Sequence, residues 1–315
     1  VQIHTSIAAA AAAIGTTPVA LTAGNFDGVH PGHQALIAAT RLAAEQQSGT
    51  SVVLTFDPHP EAVIRGRAPE ALTTTERRLA LLAETGVDHL ILQTFDEAFA
   101  QTSAEDFLAL VAQSFRLTNL LLGYDFRFGK GGRGDLAMAR TLAPSLGFVV
   151  QQVEAVLVGG EPISSSRIRQ VLAAGDVARA AELLGRPWTV EGAVGGGAGR
   201  GRTLGFPTAN LVTTQPLIVP DGVYGGVALT ADGRPWVAAI SIGTNPTFGG
   251  EPRRLEAFLL DYPDDRVEGP LTVELRVFLR GQVTYPHAAH LIAQIEADVR
   301  LIQDTATSER WLDGR

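Results

Sequence analysis

An α/β domain built on a parallel sheet, followed by a small antiparallel barrel or sandwich, is the architecture this sequence predicts. Two patterns and one length carry the prediction. In the first half, short apolar runs alternate with helix-period stretches, as strand-helix-strand crossovers require. In the second half, five strand-like runs follow one another through Gly and Pro turns with no helix between them. At 315 residues the chain exceeds the size at which one core keeps growing, so two domains are expected. The pattern changes at Gly185-Arg186-Pro187, which places them at 1–186 and 187–315.

The first-half strands are expected over Val19–Ala23, Ser51–Phe56, His89–Gln93 and Asn119–Leu122, with helices over His33–Gln46 and Thr75–Thr85. Three loops, GNFDGVHPGH (Gly24–His33), TFDPHP (Thr55–Pro60) and GYDFRFG (Gly123–Gly129), each follow one of these strands. Ligands of a parallel sheet bind beyond the carboxyl ends of its strands, so all three loops should share one edge and form a pocket. Ile7–Ile14, mostly alanine, resembles the apolar part of a secretion signal but lacks a basic start; it reads as a short surface helix before the first strand. The chain opens on Val1 rather than methionine, so a few residues are expected ahead of it. Val171–Leu184 reads as one or two helices broken at Gly175. Beyond the boundary, strands are expected over Thr189–Val194, Val223–Thr230, Trp236–Ile242, Leu255–Asp261 and Leu271–Leu279. A last helix, about Ala288–Asp304, carries Leu291, Ile292, Ile295, Val299 and Ile302 as one buried stripe.

Composition narrows the function. Hydrophobic residues make up 45% and charged residues 18%, enough apolar material for two cores and too little charge for a long disordered region. Acidic residues outnumber basic ones 33 to 25, a net charge of -8, which argues against a broad grip on nucleic acid or on an anionic membrane. Cysteine is absent, excluding disulfides, thiolate metal sites and cysteine nucleophiles and fitting a reducing cytoplasm. No apolar run reaches the roughly 20 residues of a membrane span. The expected partners are therefore small molecules held locally, and a homo-oligomer is left open.

In GNFDGVHPGH, Gly24 ends a strand and Pro31 suits the first turn of the next helix, which places a helix start at His30–His33. Free amides and the helix dipole favour an anion there, and Gly28 and Gly32 let backbone approach phosphate oxygens. His30 and His33 can donate hydrogen bonds to a phosphoryl group gaining charge. A metal pair or simple helix capping are the competing readings. Ile163-Ser164-Ser165-Ser166-Arg167-Ile168-Arg169 offers a second anion site: hydroxyls, free helix amides and Arg169 together suit a polyphosphate, although capping alone explains one serine.

In the second half, GRGRTLGFPTANL (Gly199–Leu211) contains Pro-Thr-Ala-Asn, in which the Thr208 hydroxyl and the Asn210 carbonyl point the same way in an extended segment, as hard oxygen ligands for Mg2+ must. Glu256 falls at period two with Phe258 and Leu260; a carboxylate against an apolar surface gains basicity and suits a general base. A polar turn and a solvent-facing glutamate are the bland alternatives.

With these residues in view, GNFDGVHPGH and ISSSRIR resemble the HxGH nucleotidylyltransferase superfamily. Together with TFDPHP, GYDFRFGKGGRGD and TTTERRLALLAETGVDHLILQTFDEAFAQTSAEDFL, they look like the FAD synthetase module of bacterial bifunctional riboflavin kinase/FAD synthetases. The resemblance implies a Rossmann-like domain that transfers AMP from ATP to FMN, releasing pyrophosphate with no covalent enzyme intermediate. It implies that His30 and His33 bind the ATP phosphates, that Gly24, Asn25, Phe26 and Asp27 shape the nucleotide pocket, and that Ser165, Ser166 and Arg169 match ISSTxxR, with Ser166 in place of the usual threonine. Asp125, Phe126 and Phe128 would lie by the flavin; ordinary core aromatics are the other reading.

GRTLGFPTAN, DGVYG (Asp221–Gly225), GTNPTFGG (Gly243–Gly250) and LEAFLLDY resemble the riboflavin kinase domain, which implies a six-stranded barrel. There Gly201, Thr208 and Asn210 would hold Mg-ATP, and Glu256 would activate the ribityl hydroxyl of riboflavin. Three positions depart from the family: Phe258 and Gly195 stand where histidines are common, and Arg266-Val267-Glu268 replaces a usual Leu-Tyr. Two further functions stay in view. One is another small-molecule nucleotidylyltransferase whose barrel only binds ligand; the other is a flavin-binding regulator without catalysis, which would predict damage to the histidines or Glu256.

Overall fold

A computed structural model describes residues 1–196, 200–203, 205–244, 253–264 and 266–313, and the chain divides into two compact units, Val1–Ser165 and Ser166–Arg315. The first begins with β1 (Gln2–His4), α1 (Ile7–Ile14), β2 (Pro18–Ala23), α2 (Pro31–Gln46), β3 (Thr50–Asp57), α3 (Pro60–Arg65), α4 (Thr75–Glu84) and β4 (His89–Thr94). It continues through α5 (Glu97–Ala100), α6 (Ala104–Ser114), β5 (Arg116–Gly123), α7 (Leu136–Leu146), β6 (Val149–Val153) and the hairpin β7 (Leu157–Val158) and β8 (Glu161–Pro162).

Six parallel strands lie in the order β1-β4-β3-β2-β5-β6. Successive residues of the central strands serve opposite faces: Leu21, Leu54 and Leu122 join one core, while Ala20, Val53 and Leu121 join the other. Burial on both faces is why these strands read as unbroken apolar runs. From β2 the chain winds through β3 and β4 to one side, then returns to β5 on the other. The order thus reverses between β2 and β5, the crevice in which open α/β sheets bind ligands. GNFDGVHPGH leaves β2 there and GYDFRFG leaves β5, with TFDPHP leaving β3, so the three loops open at one edge as expected.

The alanine run forms the expected surface helix, with Ala8, Ala9, Ala12 and Ala13 exposed, but it follows the first strand rather than preceding it. Ile7, Ala10 and Ile14, spaced along one face, are buried with Phe107 and Val111 in the core, and β1 precedes the helix. Alanine tolerates solvent and close packing alike, so its run did not disclose which face was inside.

The second unit opens with α8 (Ser165–Ala173) and α9 (Val177–Leu184), separated where Gly175 adopts φ 83°. Then come β9 (Trp188–Gly195), α10 (Arg200–Thr203), β10 (Ala209–Val212), β11 (Gly222–Leu229), β12 (Pro235–Gly243), β13 (Arg254–Leu259), β14 (Pro270–Gly281) and α11 (Ala288–Ser308). The strands form a closed antiparallel barrel in the order β10-β13-β12-β11-β14-β9, not a sandwich. The short β10, which carries the asparagine of Pro-Thr-Ala-Asn, closes it between β9 and β13. α9 packs on β9 and β14, so this helix, assigned from sequence to the first domain, sits with the barrel. α11 lies on β11 and β12 through Ile302 and Ala306, followed by buried Trp311. Its expected stripe is modified: Asp298 occupies the buried row, held by the Arg280 guanidinium of β14 through bonds of 3.1, 3.1 and 2.6 Å.

Candidate active sites

The first site is built on the turn from β2 into α2. Phe26 and Val29 take left-handed backbone (φ 51° and 41°) although neither is glycine, and both are buried. Strain of this kind persists only where surrounding packing holds it, and it is common at ligand clamps. Gly24 packs tightly here, since a Cβ would stand 3.1 Å from the Phe26 ring. His30 caps α2, its Nδ1 accepting the His33 backbone N–H at 3.3 Å, with Pro31 in the first helical position. The rings of His30 and His33 stack with centroids 3.6 Å apart, and His33 meets the Phe26 edge at 5.2 Å. Burial first, and His30 second, hold the His33 imidazole well below its ordinary pKa of 6.5, so it is neutral at pH 7. Because Nδ1 of His30 accepts a backbone proton, the neutral His30 ring carries its own proton on Nε2.

Asp27 serves the loop. Its buried carboxylate accepts the backbone N–H groups of Leu72 and Thr73 and the Thr73 hydroxyl at 3.0–3.3 Å, tying the segment before α4 to the turn between β2 and α2. Ser165 Oγ donates to the Asp27 carbonyl at 2.8 Å, which seats the start of ISSSRIR beside GNFDGVHPGH. Ser166 is exposed and Arg169 half-buried, one turn apart on α8, and both fall in the second compact unit. After β5, Asp125 is exposed and Phe126 half-buried, while Phe128 is buried against Phe107. Phe126 and Phe128 stack at 5.9 Å.

Two residues with no role in the sequence reading join this site. Arg78 of α4 is buried and donates to the carbonyls of Asn25 (3.1 Å) and Phe56 (2.9 Å), pinning the ends of β2 and β3 together. Burial lowers its pKa, with Asp27 and Asp57 opposing the shift. The signal was legible: in TERRLALLAE, Arg78 shares the buried face of Leu81 and Leu82. His59 lies 3.1 Å from the Asn25 amide, and its only sequence signal was a histidine in a loop bound for the same edge.

The second site is set by barrel register. Asn210 lies directly opposite Glu256 on β13 and opposite Gly195 on β9, and Ser241 of β12 flanks Glu256 on its other side. Directly paired residues place their Cβ atoms about 4.5–5.5 Å apart. Along β13, Leu255, Ala257 and Leu259 are buried, whereas Glu256 and Phe258 share the other, half-buried face. A cavity of about 460 Å³ is lined by Gly195, Arg202, Thr208, Asn210, Phe258 and Tyr262, among others. The Oδ1 atom of Asn210 is buried with no hydrogen-bond partner, a hard oxygen whose lone pairs lack a donor. A cation such as Mg2+ satisfies such an atom. Gly201 packs against this segment, since a Cβ there would meet the Phe206 carbonyl at 2.3 Å and Thr208 Oγ1 at 3.1 Å. Phe258, in place of the familiar histidine, packs edge-on against Phe206 at 5.5 Å. DGVYG is structural: Asp221 pairs with Arg253 at 2.6 Å, and the buried Tyr224 hydroxyl donates to the Pro220 carbonyl, its pKa pushed up to about 12 chiefly by burial. Gly199 and Leu204 of the glycine-rich stretch and residues 245–250 of GTNPTFGG lie outside the described residues.

Known proteins match both halves. The FAD synthetase family model matches residues 14–167 and the riboflavin kinase family model residues 184–306. A bifunctional riboflavin kinase/FMN adenylyltransferase of Escherichia coli (strain K12) is 36% identical over 280 residues, 88% of this chain and 90% of the relative. One from Haemophilus influenzae is 33% identical over 282 residues, 89% of this chain and 92% of the relative. A crystal structure described as a macrolide-efflux protein from Streptococcus pneumoniae aligns with TM-score 0.82 and 31% identity, covering 93% of this chain and 96% of that one. Among the described residues of this chain, no helix is long and apolar enough to cross a membrane.

Proposed function

Because this chain belongs to the bifunctional riboflavin kinase/FMN adenylyltransferase family, it is an enzyme with both activities, and we propose which of its residues carry each one. Residues 1–186 are assigned to FMN adenylylation and 187–315 to riboflavin phosphorylation. The order of the two family matches supports this division, with α8 and α9 lying where the matches meet.

For adenylyl transfer, the triphosphate of ATP sits at the N-terminus of α2. His30 offers its Nε2–H and the neutral His33 ring its N–H to phosphoryl oxygens that gain charge as an FMN phosphate oxygen attacks the α-phosphorus and pyrophosphate leaves. Neutral imidazoles suit this role, since they donate without needing the pH to fall. Gly24, Asn25 and Phe26 shape the pocket, with Asp27 and Arg78 bracing it from behind. The motif ISSSRIR assigns Ser165, Ser166 and Arg169 to phosphate binding, and Asp125, Phe126 and Phe128 are assigned to the flavin.

For the kinase, the observation that carries the reading is Asn210 set against Glu256 with its Oδ1 unpartnered. Thr208 and Asn210 would hold Mg2+, which neutralises charge on the ATP phosphates when bound. Gly201 lies along the ATP. Glu256 takes the proton from the ribityl hydroxyl of riboflavin as that oxygen bonds to the γ-phosphorus and ADP leaves.

Incubation with riboflavin, ATP and Mg2+, followed by chromatography, should yield FMN with ADP and FAD with pyrophosphate. His33→Ala should stop at FMN. Glu256→Ala should make no FMN from riboflavin yet convert supplied FMN to FAD. Neither flavin product forming, or the reverse pattern in the variants, overturns the assignment.

A further inference from the structure

Asn25, the second residue of the phosphate loop, is held on both its backbone and its side chain. Its carbonyl accepts Thr55 Oγ1 at 3.2 Å and Arg78 Nη1 at 3.1 Å. Its amide Nδ2 lies 3.1 Å from His59 Nε2. The other ring nitrogen decides what this last contact is. His59 caps α3, and its Nδ1 accepts the backbone N–H of Glu61 at 3.2 Å. A backbone N–H only donates, so Nδ1 carries no proton and the neutral ring carries its proton on Nε2. An amide NH2 facing that Nε2–H would set donor against donor. The two ends of a carboxamide exchange by a half-turn about the final side-chain bond. The oxygen of Asn25 therefore faces His59, and its NH2 is turned away from that ring.

We propose that His59 is a positioning residue of the adenylyl-transfer site. By holding Asn25 Oδ1, it commits the two N–H groups of Asn25 as donors at the carboxyl end of β2, where they meet the anionic phosphates of ATP. Arg78 and Thr55 fix the Asn25 backbone, so the carboxamide is the remaining freedom, and His59 removes it before substrate arrives. The proposal rests on reading this loop as the adenylyl-transfer site.

Two substitutions separate this role from helix capping. His59→Asn keeps a good N-cap acceptor for the Glu61 N–H but is too short to reach Asn25. His59→Gln keeps an amide near the place of Nε2 but caps poorly. FAD formation from supplied FMN is measured for each, with riboflavin phosphorylation by the same chain as control. His59→Asn is expected to lower kcat/KM for adenylyl transfer about tenfold or more, His59→Gln by less, and Asn25→Ala in the His59→Asn background to add little. The opposite ranking, with His59→Asn near wild type, overturns the proposal, as do losses that multiply in the double variant. His33→Ala distinguishes the two readings: if it still makes FAD, the site assignment fails; if it stops at FMN while His59→Asn is normal, only the positioning role fails.

Discussion

Gly32→Ala tests the geometry of the histidine pair without removing a functional group. Gly32 occupies the second position of α2, where alanine is conformationally welcome; in a helix interior the exchange stabilises by about 0.5–1 kcal/mol, and less in a first turn. The added Cβ would stand 3.1 Å from both Cε1 and Nδ1 of His30, where ordinary contact begins at 3.4 Å. His30 is 4% exposed and stacked 3.6 Å from His33, so its ring has no route to solvent and must shift by a few tenths of an ångström. The 3.3 Å bond from the His33 N–H to Nδ1 is already long and would be lost. Since a misplacement of about 1 Å costs about a hundredfold, a shift of this size should lower kcat/KM for adenylyl transfer by about three- to tenfold, or about 1 kcal/mol. FAD formation from FMN measures it, with riboflavin phosphorylation and Tm as controls, both expected unchanged. Wild-type adenylyl transfer would refute the reasoning, and so would a loss matched by the kinase.

Two further outcomes follow from charges inside the units. His33 is held below 6.5, so between its depressed folded value and 6.5 the unfolded chain binds a proton that the folded chain does not. Stability from this group is complete above 6.5 and falls as pH drops below it, by about 1.4 kcal/mol per pH unit. Unfolding free energies from urea titrations should fall as pH drops below 6.5, and His33→Gln should flatten that fall; an unchanged pH dependence in the variant assigns the acid sensitivity elsewhere. Arg280→Leu strips the buried Asp298 carboxylate of its cation, leaving the Gln294 amide at 2.9 Å as its side-chain donor among the described residues, and should cost about 2 kcal/mol by urea denaturation. Adding Asp298→Leu should recover most of that loss, because the penalty lies in the orphaned charge; equal destabilisation of single and double variants would contradict this.

Much of this protein was legible along the chain. The strands Val19–Ala23 and Ser51–Phe56, the helix after Pro31 and the five longer barrel strands were read within a few residues, because side-chain period reports local backbone geometry directly. GNFDGVHPGH was legible as a strand-to-helix turn and Pro-Thr-Ala-Asn as an extended segment, because glycine and proline mark such turns and helix starts by residue type. What no local pattern contains is who pairs with whom. β1 and β10 are short, and their existence depends on neighbours far along the chain, so closure of the expected barrel through β10 and the Asn210–Glu256 register emerged only from the sheet. The same holds for Asp298, whose place in a buried row depends on Arg280, and for α1, whose alanines conceal which face is inside. At the site that opens the chain, the sequence by itself determined a strand-to-helix turn with two histidines. Only tertiary structure decided that Arg78 and His59 brace it, because hydrogen bonds across 53 and 34 residues depend on where strands β2 and β3 end, not on spacing.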